Sequence, residues 1–446
     1  MINKNDNNFN TINIIKNKRA NFVWNFKFSV LWAKEKLNIS LIRKIVEIII
    51  FILLFFMISK GNLHLFNRNS IDYHIFLEQK YEPISVAHNN SINFVKSCES
   101  KDLLHFQSLI DYNLTNPNIS VVIPLYNCAP FILRAIKSVQ LQNVTDFEIV
   151  LIDDLSTDNT FNIINNIQKE DNRIKILRNQ KNMGTMYTRS IGVMMSRGKY
   201  LFNLDNDDLF VNNDIFHTIT QINEKGNFDI VEFRAISNHK INRHILNSRI
   251  GNSIFTHPKP FILFQPVLGM YPIRTGKKPG TYGLFDIFLW GKCIKTQIYQ
   301  KALNKLGSQR YSRFMIRYED IVTNYMICNT AESLIYVEKY GIYHIVRSGS
   351  GTSVGKKKVS RSINLLYLID IVIDFSLDYP NNKKLAAYLI IYYLKIPVIK
   401  KVLTRSRYRM NLFISCLRRI FNSTYISLYD KRKIRRLLKW HKYIRF

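Results

Sequence analysis

Cysteine, glycine, proline and acidic residues are all scarce in this chain of 446 residues. Five cysteines without a closely spaced pair exclude a disulfide scaffold and a CxxC-type zinc site. With 16 glycines, 11 prolines and a hydrophobic fraction of 47%, collagen-like and wholly disordered chains are excluded as well. The 32 acidic residues face 64 basic ones, so the formal net charge is +32. This excess indicates an anionic partner or surface.

One apolar run, IVEIIIFILLFFMI at residues 45–58, is a candidate membrane segment. Arg43 and Lys44 precede the run and Lys60 follows it. The run is shorter than the roughly 20 residues of a typical spanning helix, so a buried helix of a soluble domain is the alternative. We favour an uncleaved anchor. Its basic N-terminal flank predicts a cytosolic N-terminus and type II topology, facing the Golgi or ER lumen in a eukaryote.

The middle of the chain alternates between apolar runs and helical patterns. Strands are predicted at 119–125, 147–152, 173–177 and 199–204, with helices at 130–139, from about 158, and at 185–197. Strands that alternate with helices predict a parallel sheet covered on both faces, whose ligands bind beyond the carboxyl ends of the strands.

Acidic residues stand at two of these predicted strand ends. Asp153 and Asp154 follow the second strand, and Asp205, Asp207 and Asp208 follow the fourth. Carboxylates gathered at one sheet edge repel each other unless a cation or hydrogen-bond donors lie between them. A divalent ion completed by a substrate phosphate would satisfy them, whereas a solvated loop or a helix cap is the plain alternative.

Three segments together resemble glycosyltransferase family 2, which has the GT-A fold. They are SVVIPLYN at 120–127, VLIDDLSTDNT at 150–160 and NMGTMYTRSIGVMMSRGKYLFNLDNDD at 182–208. The resemblance implies an α/β fold with a Rossmann-like, mainly parallel sheet. It also implies an inverting transferase that uses a nucleotide sugar, here expected to be a UDP-sugar, together with Mn²⁺ or Mg²⁺.

The resemblance assigns roles to individual positions. Asp154 would accept a hydrogen bond from uracil, Asp205 would contact the ribose, and Leu155 replaces the family's usual glycine. The positions expected to bind the nucleotide sugar are Pro124, Tyr126, Asn127, Asp154, Asn182, Gly184, Arg189, Asp205 and Arg347. The expected metal ligands are Asp207, Asp205, Asp208 and His344. Taken singly, these residues would also suit packing, turn or surface roles.

Two further segments resemble the acceptor half of the family. In RYEDIVTNYMI at 317–327, Asp320 would be the catalytic base with Glu319 in reserve, although an acidic pair also suits a helix N-terminus. In LWGKCI at 289–294, Trp290 could stack on an acceptor sugar or lie in the interior.

The last part of the chain is rich in arginine and lysine interleaved with tyrosine, leucine and isoleucine. Anionic lipid or an acidic glycan fits such helices, and a merely solvated face is the alternative. The predicted organisation is a tail at 1–44, an anchor at 45–60, a stem at 61–117, the GT-A domain at 118–355 and a basic helical region at 356–446.

The expected partners are the donor, a glycan, lipid or protein acceptor, and a membrane. No nucleic-acid motif supports a nucleic-acid partner. A catalytically silent GT-A-fold protein that binds a glycan or another partner is the alternative function.

Overall fold

The computed structural model describes residues 84–99, 103–104, 116–237, 261–264, 288–345, 358–378, 407–423, 428–429 and 431–432. The chain divides into two compact units, Met1–Ile71 and Asp72–Phe446, and every described residue belongs to the second. Within the described ranges, no helix has the length and apolar character needed to cross a bilayer. The apolar run at 45–58 and Arg347 lie outside these ranges.

Four parallel strands form the first half of a mixed sheet. They are β1 (Ile119–Leu125), β2 (Phe147–Asp153), β3 (Ile174–Arg178) and β4 (Tyr200–Asn203), in the spatial order β3-β2-β1-β4. All seven residues of both β1 and β2 are buried, as solid runs of β-branched and apolar side chains require when a sheet is covered on both faces. This confirms the predicted strands and their parallel arrangement.

The second half of the sheet brings in antiparallel pairings. Its strands are β5 (Leu209–Phe210), β6 (Ile230–Ser237), β7 (Phe261–Phe264), β8 (Lys292–Lys295) and β9 (Ser333–His344). β8 pairs antiparallel with both β4 and β6, and β9 pairs with β6, β5 and β7. The fold is therefore α/β with a mixed sheet, and its parallel half contains the predicted nucleotide-binding segments.

Helices pack on this sheet and, in the C-terminal part of the chain, on one another. In chain order they are α1 (Ile84–Cys98), α2 (Ile132–Gln140), α3 (Thr160–Glu170), α4 (Thr185–Met195), α5 (Ile215–Gly226), α6 (Thr296–Leu306), α7 (Ser308–Tyr311), α8 (Glu319–Cys328), α9 (Lys358–Asp378) and α10 (Arg407–Asn422). Two large apolar clusters form the core, and the cluster that includes α4 also contains buried residues of β1, β2, α8, α9 and α10.

Helix α4 approaches the sheet unusually closely, and Gly192 makes this possible. A β-carbon at this position would lie 2.4 Å from Cδ1 of Ile152 and 2.7 Å from Cγ1 of Val122. Because a larger residue would push the helix away, the glycine sets the depth of α4 over β1 and β2. The charged residue one turn earlier, Arg189, is thereby held beside the carboxyl ends of the strands.

Candidate active site

The loops after β1 and β2 are joined to each other by hydrogen bonds. The backbone N–H of Asn127 donates to Oγ of Ser156 at 3.0 Å, and Oδ1 of Asn127 accepts from the backbone N–H of Thr157 at 2.8 Å. Asn127 and Leu155 both adopt left-handed backbone conformations, with φ of 49° and 59°. Leu155 replaces the family's usual glycine, yet its backbone has the left-handed conformation that favours glycine. Tyr126, 47% exposed, projects from the same edge.

Asp154 organises the segment that leads into α4. Its Oδ1 accepts hydrogen bonds from Nδ2 of Asn179 and the backbone N–H of Met183, both at 2.7 Å, and its Oδ2 accepts from the backbone N–H of Gly184 at 2.8 Å. Asp154 is 3% exposed. A carboxylate has about four lone-pair sites, so these three bonds leave one for a ligand N–H. The structure thus gives Asp154 a loop-ordering role in addition to the predicted uracil contact.

Asn182 and Gly184 lie in the segment that Asp154 holds. Oδ1 of Asn182 is buried and accepts no hydrogen bond from the described residues. This oxygen can therefore accept a hydrogen bond from an N–H or O–H group of a ligand. Gly184 has φ of 85°, and a β-carbon there would lie 3.0 Å from the carbonyl oxygen of Met315. Only glycine fits this turn. The N–H of Met186, two residues further on, donates to the same carbonyl oxygen of Met315 at 3.0 Å.

Arg189 connects the acidic turn after β4 to the start of α8. Its Nη2 lies 2.6 Å from Oδ1 of Asp205, and its Nη1 lies 3.0 Å from Oδ1 of Asp320 and 3.6 Å from Oε1 of Glu319. Arg189 is 4% exposed. Burial by itself would lower the pKa of its guanidinium, but the carboxylates of Asp320, Asp205 and Glu319 together raise it. Arg189 is therefore permanently charged, and three predicted site residues converge on it.

The two predicted catalytic carboxylates start α8. Burial raises the pKa of Asp320 well above its usual range and the like charge of Glu319 raises it further, while Arg189 acts in the opposite direction. Burial likewise raises the pKa of Glu319, opposed by Arg189. A carboxyl group with a raised pKa holds a proton more strongly than free aspartic acid, which suits a group that must accept one from a hydroxyl.

The acidic turn after β4 contains residues in two different environments. Asp205 and Asp207 are partly exposed, whereas Asp208 is fully buried. Nδ1 of His344 lies 3.0 Å from Oδ1 of Asp208, and the N–H of Ile345 donates to the same oxygen at 2.9 Å. Burial raises the pKa of Asp208 to about 6, with His344 opposing the rise. Burial alone would lower the pKa of His344, but its bond to Asp208 outweighs this effect and raises it.

The four predicted metal ligands lie in the acidic turn and beside it, and their role as ligands stays a prediction. In the part of the chain that the structure describes, no three His, Cys, Asp or Glu side chains come together as a metal site. Asp208 and His344 are partners of each other. The partly exposed carboxylates of Asp205 and Asp207 fit an ion that takes one or two protein oxygens and completes its shell with substrate phosphates.

Trp290 lies in the interior, as the second of its two sequence interpretations describes. It is 4% exposed and stacks on Phe288, with ring centroids 4.4 Å apart, and on His344, with centroids 5.4 Å apart. Because Trp290 is buried beside the Asp208–His344 pair, it supports the acidic turn and does not present a ring to a sugar.

Some residues beside the site were given no role from the sequence, and others gain a contact in the structure. Lys292 is 1% exposed, donates to the carbonyl of Phe288 at 2.6 Å, and its charge lowers the pKa of Asp320. Phe314 and Ile316, 47% and 41% exposed, flank the buried Met315 beside Gly184. The sequence shows only three apolar residues in a row here, so the exposure of Phe314 and Ile316 could not have been predicted from it. In β1, Pro124 is buried, and its carbonyl accepts from Nδ2 of Asn206 at 2.9 Å.

Comparisons with known proteins agree with this geometry. Residues 120–275 match the family model described as Glycosyl transferase family 2. An uncharacterized glycosyltransferase of Rickettsia conorii is 33% identical over 208 residues, which are 47% of this chain and 32% of that protein. The GalNAc(5)-diNAcBac-PP-undecaprenol beta-1,3-glucosyltransferase of Campylobacter jejuni is 34% identical over 109 residues, 24% of this chain and 35% of the relative. The chain thus spans about a third of the length of these curated relatives.

A solved structure, residues 1–349 of S. aureus TarS in complex with UDP-GlcNAc, aligns with 74% of this chain and 93% of its own, at 14% identity and a TM-score of 0.48. The family match covers β1 to β4, Asp154, Arg189 and the acidic turn. Residues 120–275 therefore match glycosyltransferase family 2, and the described part of the chain has an α/β fold with a mixed sheet.

Proposed function

We propose that this protein transfers a sugar from a nucleotide sugar, in the simplest case a UDP-sugar, to an acceptor hydroxyl with inversion at the anomeric carbon. The family match supports the transfer of a glycosyl group. The acceptor is a glycan, a lipid or a protein. The Campylobacter relative is named for a lipid-linked acceptor, which favours a similar acceptor here.

One observation carries the proposal: α4 holds the donor and acceptor residues in a single arrangement. The residue before the helix, Gly184, donates to Asp154, and Arg189 within the helix pairs with Asp205 and Asp320. Five residues of helix span about 8 Å, close to the length of a sugar joined to a phosphate. A nucleotide held by Asp154 and Asp205 would therefore direct its sugar toward Asp320.

Asp320 acts as the base in this mechanism. Its carboxylate accepts the proton of the acceptor hydroxyl as that oxygen bonds to the anomeric carbon and the bond to the diphosphate breaks. Arg189 orients this carboxylate from a distance of 3.0 Å. The raised pKa of Asp320 makes proton transfer from the hydroxyl more favourable. The side chain of Asp320 is 23% exposed, so an acceptor can reach it.

We include a divalent ion in the proposal, held by Asp207 and Asp205. Bound Mn²⁺ or Mg²⁺ supplies positive charge that stabilises the departing diphosphate. The segment at 45–58 would anchor the protein in a membrane with its N-terminus in the cytosol, as its flanking charges predict.

The proposal is tested by measuring UDP release from a panel of UDP-sugars with the full chain, with and without Mn²⁺. We expect turnover of one donor that depends on Mn²⁺ and falls about hundredfold or more in Asp320→Asn. Asp214→Asn is the matched control, because Asp214 is a half-buried acid outside the site, where its Oδ2 pairs with Nζ of Lys339 at 2.9 Å. This control should keep full activity.

A different result would favour the catalytically silent alternative. If no donor is hydrolysed and none raises the midpoint of thermal unfolding in the presence of metal, the protein binds a glycan or another partner without catalysis. If a donor is turned over equally by Asp320→Asn, the base assignment is overturned while the transferase function stands.

A further inference from the structure

Helix α10 has a buried side whose charges are neutralised. Phe413, Leu417 and Ile420 are buried against the core that also contains α9. On this side Arg419 pairs with Asp370 at 2.6 Å and with Asp374. The side of α10 that packs on α9 therefore includes none of the residues on the opposite side of the helix.

The opposite side of α10 and the short segment that follows carry exposed cations. Arg407, Arg418 and Arg432 are all exposed. Within the described ranges none of these three side chains forms an ion pair with a carboxylate, in contrast to Arg419 on the same helix. The last sixteen residues, KRKIRRLLKWHKYIRF, add further cations and contain no acid, so nothing in this part of the sequence neutralises them.

Large apolar side chains are also exposed at the start of α10 and in the short segment after it, where Nζ of Lys431 donates to the carbonyl of Ser423 at 2.5 Å. Tyr408 is 61% exposed, Leu428 is 63% exposed and Tyr429 is 71% exposed. Most other exposed large apolar residues of the described chain, namely Tyr126, Leu155, Phe314 and Ile316, belong to the loops of the candidate active site. The group at the C-terminal end has no such role. We call Arg407, Tyr408, Arg418, Leu428, Tyr429 and Arg432 the C-terminal basic face.

This combination of side chains matches the interface of an anionic bilayer. Phosphate headgroups attract the arginines, and the acyl boundary removes the leucine and the tyrosine rings from water while leaving the tyrosine hydroxyls wet. An acidic glycan or a nucleic acid would satisfy the arginines but leave Leu428 in water, because neither offers it an apolar environment. The chemistry of the face therefore favours lipid.

We propose that the C-terminal basic face docks on the surface of an anionic membrane. This contact is separate from any anchor at 45–58, since the face belongs to the compact unit Asp72–Phe446. It goes beyond sugar transfer, because it concerns where the folded domain lies and holds whichever donor and acceptor the site uses.

A local probe distinguishes this contact from anchoring elsewhere in the full chain. All five native cysteines are buried, so Leu428→Cys can be labelled selectively with an environment-sensitive dye. Met195→Cys is the matched control, because Met195 is 53% exposed at the end of α4. Both labelled proteins are mixed with vesicles of phosphatidylcholine, with or without phosphatidylglycerol, that contain a quencher on the lipid chain.

We expect quenching of the dye at position 428 in the anionic vesicles only, and none at position 195. Replacing Arg407, Arg418 and Arg432 by Gln should weaken the contact on the order of a hundredfold, because each cation near an anionic surface contributes about 1 kcal/mol. The proposal is overturned if the dye at 428 stays unquenched in anionic vesicles. It is equally overturned if the triple variant is quenched like the native sequence, or if a soluble acidic polysaccharide binds the face while the vesicles do not.

Discussion

Arg189 and Asp320 form a partly buried ion pair across the candidate active site, with Nη1 of the arginine 3.0 Å from Oδ1 of the aspartate. The two residues are 131 positions apart in the chain. The other terminal nitrogen of the same guanidinium holds Asp205 at 2.6 Å. A single planar cation therefore fixes the distance between the group proposed to contact the ribose and the group proposed to take the proton.

Removing this cation should affect both stability and catalysis. In Arg189→Met the carboxylates of Asp205, Glu319 and Asp320 lose their shared partner, which should lower the free energy of unfolding by about 3 kcal/mol. Arg189→Lys keeps the charge but cannot bridge two carboxylates as a planar fork does, so it should lose less stability and still lose most activity. Denaturant unfolding and UDP release measure the two effects. Unchanged stability in Arg189→Met would contradict the role of this ion pair.

The acid limb of the pH–rate profile should report the ionisation of Asp320. The charged groups that act on it are Glu319, Arg189, Asp205 and Lys292. Because burial and Glu319 raise the pKa of Asp320, activity should fall as the pH drops through a value well above the ordinary aspartate pKa of about 3.9. Glu319→Gln removes the like charge, so the limb should move to lower pH.

The matched control for this shift is Glu332→Gln, since Glu332 is an exposed acid outside the site. It should leave the acid limb in place. A limb that moves equally in both variants would show that overall charge, and not the neighbouring carboxylate, sets the pKa.

Leu155 should be replaceable by glycine without loss of stability. A leucine at φ of 59° is in a conformation that costs an L-residue about 1 kcal/mol relative to the right-handed region. Leu155→Gly should therefore leave the free energy of unfolding unchanged or raise it by up to about 1 kcal/mol. The same change at Leu141, which has φ of −81°, should destabilise the protein. Equal destabilisation at both positions would contradict this interpretation of the loop.

Gly184→Ala should damage the donor site. The new β-carbon would meet the carbonyl oxygen of Met315 at 3.0 Å and would occupy a backbone with φ of 85°. We expect a loss of more than about 1 kcal/mol in unfolding free energy and weaker binding of UDP, because the N–H of Gly184 donates to Asp154.

Gly307→Ala separates the two causes in that prediction. Gly307 has φ of 82°, but the nearest atom to its β-carbon would be 3.9 Å away. This variant carries only the conformational strain and should keep the native affinity for UDP. If calorimetry finds the same affinity for Gly184→Ala, the close contact with Met315 has no part in shaping the site.

The parallel half of the sheet could be predicted because its strands are mostly apolar runs that alternate with helical patterns. The predicted strand at 119–125 coincides with β1, and the helix predicted at 185–197 corresponds to α4 at Thr185–Met195. The antiparallel half could not be predicted in this way. β8 has only four residues and begins with a buried lysine, Lys292, whose burial depends on a carbonyl contributed by a turn.

The site residues were predicted as separate motifs, but their contacts were not. Asp208 and His344 appear in sequence as two metal ligands, yet they form a buried pair because β5 and β9 lie side by side, with Leu209 opposite Tyr343. From the sequence Trp290 was either an acceptor contact or an interior residue, and its burial follows from the same packing. Such pairings depend on strand order, which no local pattern contains.

The hydrogen bond from the N–H of Met186 to the carbonyl of Met315 gives the turn at Gly184 a second task. On one side, the N–H of Gly184 donates to Asp154. On the other side, the N–H of Met186 donates to Met315, in the segment that leads to Asp320. Any displacement of this turn is thus transmitted to both halves at once. In the proposed mechanism the same turn would position both substrates. A nucleotide sugar that binds in the wrong place would therefore also displace Asp320 from the acceptor hydroxyl.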